Sequence, residues 1–140
     1  MPLSAEILLT LVVLGYSLVP VLADFNKTHA TNPLWTPHAR FHVVWQVSSY
    51  VGVALVSLWL IWSPGAMGAE RGWLATALAA SMYAGFFSAV FSKKLYGGAN
   101  YDTNGVLPIH VFGLELDLNI SVFATMIALL AVAAAIEAAA

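Results

Sequence analysis

Residues 5–23 read AEILLTLVVLGYSLVPVLA, an apolar stretch in which Glu6 is the only charged residue. A helix rises about 1.5 Å per residue, so about 20 residues cross the hydrocarbon core of a bilayer. Three further stretches meet the same test, at residues 41–62, 73–91 and 118–136. Lipid cannot satisfy open backbone groups, and the stretches lack the alternation of barrel strands, so each is predicted to be a helix. The predicted fold class is an all-α integral membrane four-helix bundle, formed by residues 1–140 as a single transmembrane domain.

The composition also indicates that lipid is the main solvent of this surface. Hydrophobic residues make up 61% of the chain and charged residues 9%, whereas soluble domains are about half apolar and about a quarter charged. A net charge of -2 gives no basic footprint for nucleic acid. The chain has no cysteine, which excludes disulfides, iron–sulfur clusters and thiolate catalysis.

Four spans place the first and third loops on one side of the membrane and both chain ends on the other. The first and third loops hold Lys27, Arg40, Lys93 and Lys94, whereas the second loop holds only Arg71. Basic residues concentrate in cytoplasmic loops. We therefore expect a multi-pass protein of the cell membrane whose first and third loops are cytoplasmic.

The breaks between spans contain recognisable helix-end signals. Thr36 is a good N-cap and Pro37 a good first helical residue, so the second helix should begin before it enters lipid. Ser63-Pro64-Gly65 is predicted to end that helix, and Lys93-Lys94 followed by two glycines to end the third.

The third loop is long, and loops of this length are usually functional or disordered. Its many apolar residues argue against disorder. Residues 106–116 are predicted to form a short hairpin or re-entrant piece that caps the histidine-rich end of the bundle. Such a cap would carry His110 and Glu115 over the first loop.

Polar residues concentrate at the end of the bundle where the first and third loops lie. Helical spacing arranges them in four stripes: His38, His42, Gln46 and Ser49; Tyr16, Pro20 and Asp24; Ser81, Gly85, Ser88 and Ser92; and Asp117, Ser121 and Thr125. Polar groups are costly in lipid and usually face the bundle interior. Four inward stripes would form a polar pocket that opens toward the histidines.

Each stripe also has a structural interpretation that needs no function. The small residues of the third helix favour a packing surface. Ser121 and Thr125 suit hydrogen bonds to carbonyls one turn back, and Tyr16 suits an ordinary buried or interfacial aromatic. Two histidines and an amide on the second helix are a poor choice for contact with lipid, so that stripe favours a functional role.

Residues 24–42 read DFNKTHATNPLWTPHARFH. This segment resembles a motif of small, uncharacterised four-span membrane proteins, in which a histidine is followed by Asn-Pro-x-Trp-x-Pro-His-Ala-Arg-Phe-His. The matching residues are His29, Asn32, Pro33, Trp35, Pro37, His38, Ala39, Arg40, Phe41 and His42. The resemblance implies the four-span plan and no particular activity. The size and plan are also loosely similar to small membrane isomerases of the styrene oxide isomerase and emopamil-binding types, from which no catalytic residue can be transferred.

The first functional hypothesis is a membrane-embedded enzyme that acts on a small lipophilic substrate by histidine and aspartate acid–base chemistry. Isomerisation, cyclisation or epoxide opening would need no soluble cofactor. The predicted catalytic residues are His29, His38, His42, Asp24, Arg40 and Asp117. The predicted substrate-binding residues are Asn32, Trp35, Trp45, Gln46, Ser49 and Tyr16.

Two alternatives remain open from the sequence. The first is a divalent-metal or haem protein, with oxidoreductase activity as one option, in which imidazoles act as ligands. The candidate ligands are His29, His38, His42 and His110. The second is a non-enzymatic transporter protomer or an accessory subunit of a membrane complex. The alanine-rich residues 131–140 suit close helix packing, including that of a homo-oligomer.

Overall fold

A computed structural model describes residues 1–63, 65, 67–68 and 70–140 of the chain. In these residues the fold consists of four long helices and one hairpin, with bounds α1 Leu3–Asp24, α2 Pro37–Trp62, α3 Glu70–Tyr96, β1 Ile109–Val111, β2 Leu114–Leu116 and α4 Leu118–Ala138. Each helix is long and apolar enough to cross a membrane. The predicted all-α membrane bundle is confirmed, and each helix extends beyond its predicted span by at least one residue.

Helix α1 is the central helix of the bundle. It packs against α2 and α4 along its length and also touches α3. The hydroxyl of Tyr16 lies 3.1 Å from that of Ser57 on α2, and the hydroxyl of Tyr83 on α3 donates to the Val12 carbonyl at 2.6 Å. Both tyrosines are fully buried. The core is therefore an apolar cluster with two satisfied hydroxyl contacts that fix α1 against two of its neighbours.

Local sequence signals set the helix ends. Thr36 caps α2 by accepting from the Ala39 backbone N–H, and Pro37 is the first helical residue, as predicted. Helix α2 ends at Trp62 with Ser63 as its C-cap; Pro64, part of the predicted stop signal, lies outside the described residues. Helix α3 continues past Lys93-Lys94 to Tyr96.

Gly97 ends α3 in the left-handed conformation, with φ +69°. The Gly98 backbone N–H then donates to the Lys93 carbonyl at 2.8 Å. This six-residue hydrogen bond around a left-handed glycine is the Schellman motif. Glycine meets the backbone requirement because a side chain would be strained at this φ.

The predicted hairpin forms at residues 109–116, but it does not cap the bundle. His110 pairs in register with Glu115, and every residue of both strands is exposed. The residues that lie over the first loop are instead those at 100–106, on the N-terminal side of the hairpin. The apolar side chains of the two strands are therefore exposed and are not packed on the bundle.

The four polar stripes do not all face inward. Tyr16 and Pro20 are buried and Asp24 is half-buried, so the α1 stripe faces the interior as predicted. The α2 stripe is exposed at His38, His42, Gln46 and Ser49, and the α3 stripe is mostly exposed at Ser81, Gly85, Ser88 and Ser92. The inward prediction is wrong for His38, His42, Ser49 and most of the α3 stripe, whereas Gln46 also borders the cavity described below. The expected α3 packing surface stays a prediction. On α4, the hydroxyls of Ser121 and Thr125 donate to carbonyls one turn back, which confirms their structural interpretation.

Candidate functional site

The end of the bundle that joins α1 to α2 and α3 to α4 contains the densest polar network in the described part of the chain. Asp24 is the last residue of α1, and the following turn brings His29 back beside it. The Nδ1 atom of His29 lies 3.6 Å from Oδ1 of Asp24. Both side chains are a little over a quarter exposed. A carboxylate at this distance stabilises an imidazole that gains a proton.

Hydrogen bonds around Thr28 assign the tautomer of His29. The Thr28 Oγ1 atom lies 2.7 Å from Oδ1 of Asn26, which accepts only, and 2.7 Å from Nδ1 of His29. A hydroxyl carries one proton, and at the Asn26 contact Thr28 must be the donor. The Thr28 hydroxyl also lies 3.2 Å from the Ala23 carbonyl, a second acceptor, and Nδ1 of His29 faces the Asp24 carboxylate. These contacts favour a proton on Nδ1 of His29, which in a neutral ring leaves the lone pair on Nε2. A neutral imidazole held in this tautomer is arranged as a proton acceptor.

Two adjoining cavities open beside this histidine. The larger, of about 160 Å³, has a polar side of Asp24, His29, Gln46, Tyr50 and Asn119, and an apolar side of Val19, Pro20, Ala23, Phe86 and Phe123. The smaller, of about 50 Å³, is lined by Ala23, Asp24, His29, Asn119 and third-loop residues. The two share Ala23, Asp24, His29 and Asn119. The larger cavity thus combines a proton-transfer group with two aromatic side chains, Phe86 and Phe123, whose ring centroids are 4.2 Å apart.

The third loop closes the outer side of the site. The Trp35 indole N–H donates to Oδ2 of Asp102 at 3.4 Å, and the Trp35 ring packs edge-on against His29 with centroids 5.0 Å apart. The Asn104 backbone N–H donates to Oδ1 of Asp102, and this bond, with those from Trp35 and Thr103, holds the pKa of Asp102 below its ordinary value. Trp35 therefore links the imidazole to the loop that covers it.

His38 and His42 lie apart from these cavities. Both are exposed on α2, where their Nε2 atoms approach to 3.0 Å. Phe41 stacks on His38, and Trp45 stacks on His42. In the part of the chain that the structure describes, neither histidine lines the cavities at His29. The sequence predicted one cluster of histidines, but the structure places His29 at the cavities and the His38–His42 pair elsewhere on α2.

The other predicted site residues fall into several surroundings. Trp45 and Ser49 are exposed on α2, and Arg40 lines an open groove with Pro37 and Phe41. Tyr16 is buried in the core, one to two turns below the site, and contacts Ser57. Of these residues, none lines either cavity at His29, as far as the described chain extends.

Two further predicted residues have defined structural roles. The Asp117 carboxylate caps α4 by accepting from the Ile120 backbone N–H at 3.0 Å. Asn32 is fully buried, where its amide donates to the Thr28 carbonyl and its oxygen accepts from the Leu34 N–H. These bonds shape the turn that presents Thr28 and His29, so Asn32 positions the site from behind.

The four histidines do not converge on one metal centre. His110 lies on the exposed hairpin, and His29 lies in the first loop away from the α2 pair. Within residues 1–63, 65, 67–68 and 70–140, no group of three His, Asp or Glu side chains is arranged to hold a metal ion. The four-histidine ligand set therefore gains no support, and haem ligation stays a prediction.

Three site residues were missed by the sequence reasoning: Tyr50, Asn119 and Asp102. Tyr50 continues the α2 stripe one turn after Gln46, whose amide donates to its hydroxyl at 2.7 Å. Asn119 lies in the first turn of α4 and donates to the Asn100 carbonyl across the site. Helical spacing offered a signal for Tyr50, whereas the positions of Asn119 and Asp102 depend on how the loops meet.

The site lies within the part of the chain that matches a known protein family. Residues 7–111 match the family of unknown function DUF6640. The chain belongs to the DUF6640 family. No curated protein and no solved structure shows significant similarity to it. The DUF6640 match covers α1 to α3, the His29 turn and Asp102, and it agrees with the predicted uncharacterised family. The motif at residues 24–42 as the label of that family, and the likeness to membrane isomerases, stay predictions.

Proposed function

We propose that the protein is a membrane-embedded enzyme that moves protons on a small lipophilic molecule, with His29 as the acid–base residue. The observation that carries the proposal is the His29 imidazole, which Thr28 holds in its Nδ1–H tautomer beside Asp24 and at the wall of a partly apolar cavity. An imidazole that can accept and return a proton near neutral pH is suited to general acid–base catalysis.

The cavity supports a substrate of limited size. Its volume of about 160 Å³ is close to that of the engineered cavity of about 150 Å³ that takes up benzene. A monocyclic molecule would pack its ring on Phe86 and Phe123 and turn a polar atom toward Asn119 or Gln46. The site lies at one end of four helices that are long and apolar enough to cross a membrane, a position that favours entry of such a molecule from the bilayer.

The proposed reaction needs only groups that the chain supplies. The lone pair of Nε2 takes a proton from the substrate, and the Asp24 carboxylate stabilises the imidazolium that forms. The same proton then returns at another atom of the substrate, so that atoms and charge balance without a cofactor. Isomerisation is the simplest result. Cyclisation and epoxide opening use the same two transfers in the opposite order, with the imidazolium donating first.

The experiment is an exchange assay that does not require the natural substrate. Purified protein is incubated in D₂O with a panel of monocyclic ketones, alkenes and epoxides, and both products and deuterium uptake are measured by mass spectrometry. We expect uptake or product with at least one compound. His29→Gln should reduce the rate at least about 100-fold, the lower range for acid–base groups.

The matched control is His110→Gln, which changes the same residue type on the exposed hairpin. Its rate should equal that of the unchanged protein. Equal rates for the His29 and His110 variants would refute the proposal. Compounds that bind, as shown by a thermal shift that His29→Gln removes, but never exchange or react would favour a binding or transport role instead.

A further inference from the structure

The His38 and His42 pair is left outside the proposed acid–base site, although it is the most regular histidine arrangement in the chain. The two residues lie one turn apart in the first turns of α2. Both are exposed, and they lie near the N-terminal end of α2, which begins four residues before the predicted span. Residues four apart on a helix project from the same face, as in helical zinc sites that use two such histidines.

Aromatic neighbours hold the two rings in place. Phe41 stacks on His38 with an interplanar angle of 10°, and Trp45 stacks on His42 with ring centroids 5.8 Å apart. The two imidazole planes are nearly perpendicular, at 83°. The two Nε2 atoms lie 3.0 Å from each other, within hydrogen-bond distance, on the exposed side of the helix. Little side-chain freedom would be lost if one ion replaced the proton between them.

The separation of the nitrogen atoms is short enough for one ion to bind both. Two metal–nitrogen bonds of about 2.05 Å that end 3.0 Å apart subtend roughly 94° at the metal. A tetrahedral site would separate the same atoms by about 3.3 Å. Small rotations of the two exposed rings cover both separations, so the pair can occupy neighbouring positions of a square-planar or tetragonal ion, the geometry of Cu²⁺ and Ni²⁺.

We propose that His38 and His42 form a two-nitrogen site for a divalent copper-type ion on the outer face of α2, with its remaining positions open to water. Two imidazoles favour copper among the first-row divalent ions, because affinity rises along the series to Cu²⁺. The site is independent of the His29 cavity. It uses two of the four histidines that the sequence predicted as ligands and leaves out His29 and His110.

The test is a titration of the purified protein in detergent with Cu²⁺ alone, in a buffer that does not chelate. Bound Cu²⁺ should give an electron paramagnetic resonance spectrum with coupling to two nitrogens. It should also quench tryptophan fluorescence, since Trp45 lies against His42. Zn²⁺, which prefers tetrahedral ligands, should compete poorly.

The variants separate this site from other histidines. His38→Gln and His42→Gln keep a hydrogen-bonding side chain but remove a metal ligand. Loss of a residue that only hydrogen-bonds to a ligand already weakens metal binding by about 10- to 100-fold. Each variant should therefore weaken Cu²⁺ binding at least about tenfold. His29→Gln and His110→Gln should leave binding unchanged. In the unchanged protein, Cu²⁺ should also protect His38 and His42 from diethyl pyrocarbonate, which tests the site without any substitution.

Three results would overturn the proposal. The first is a spectrum with one coupled nitrogen or none. The second is binding that is equally strong in the His42→Gln protein, which would mean an adventitious ion only. The third is no protection of His38 or His42 by Cu²⁺, in which case their contact is a hydrogen bond that only organises the start of α2.

Discussion

Gly15 marks the closest approach of α1 to its neighbours, and replacing it tests the packing of the bundle. A Cβ atom at this position would lie 2.7 Å from Cγ of Met126, 2.8 Å from its Sδ, and 2.8 Å from the hydroxyl oxygen of Tyr83. Ordinary carbon contacts are about 3.5–4.0 Å. The methionine can rotate, but the Tyr83 hydroxyl is fixed by its bond to the Val12 carbonyl.

Gly15→Ala should therefore destabilise the bundle by the cost of overpacking, about 1–3 kcal/mol. Gly52→Ala is the matched control, because a Cβ at Gly52 has no described atom within 4 Å. Both changes gain the same helix propensity, about 1 kcal/mol. This gain cancels in the comparison, so the difference between the two variants measures the overpacking alone.

The assay is reversible unfolding of the detergent-solubilised protein with sodium dodecyl sulfate, followed by circular dichroism, which gives the free energy of unfolding. Gly15→Ala should be less stable than Gly52→Ala by about 1–3 kcal/mol. Adding Met126→Ala to Gly15→Ala should show a favourable coupling of about 0.5 kcal/mol or more. Equal stability of the Gly15 and Gly52 variants would refute this arrangement of α1 against α3 and α4.

Two further predictions concern the two ends of the bundle. Because the pKa of Asp102 is lowered, the ionised carboxylate holds the third loop over the site at any pH above the ordinary carboxyl pKa. This contribution is lost as the pH falls through the lowered pKa. Hydrogen exchange of residues 100–106 should therefore become faster at low pH, and Asp102→Asn should abolish this pH dependence. At the other end, Arg71 pairs with Glu6 at 3.0 Å, with side chains only 13% and 15% exposed, and also donates to the Ile61 and Ser63 carbonyls. Glu6→Gln should lower the free energy of unfolding by about 3 kcal/mol. Glu70→Gln, at the exposed start of α3, is the control and should change it little. Similar losses in both variants would contradict a structural role for the Glu6–Arg71 ion pair.

The ends of the helices were predictable because their causes are local. The N-cap of α2 needs only Thr36 and Pro37 in sequence, and the hairpin needs only a turn between two short apolar runs. The number of spans predicted that the first and third loops lie at the same end of the bundle. The sequence therefore predicted that these two loops meet near His29, but it did not predict which of their residues contact each other.

The direction of the polar stripes was decided by the tertiary structure. In water, the apolar side of a helix identifies the core, but in lipid both the packed and the outer faces are apolar. The α2 sequence therefore did not reveal that its buried face is the one with Val47, Ala54 and Ser57. His38 and His42 consequently face outward, whereas His29, also predicted as a catalytic residue, borders the cavity on which the proposed function rests.

The sequence by itself determined that this chain has four membrane-length helices and a polar end rich in histidine, because length, hydropathy and helix caps depend on neighbouring residues. Only the tertiary structure decided which polar groups meet. The contact of Trp35 with Asp102 and the approach of Asn119 to the Asp24–His29 pair join residues from distant parts of the chain. Such contacts depend on how α1 packs between its neighbours, and a local sequence pattern does not predict that packing.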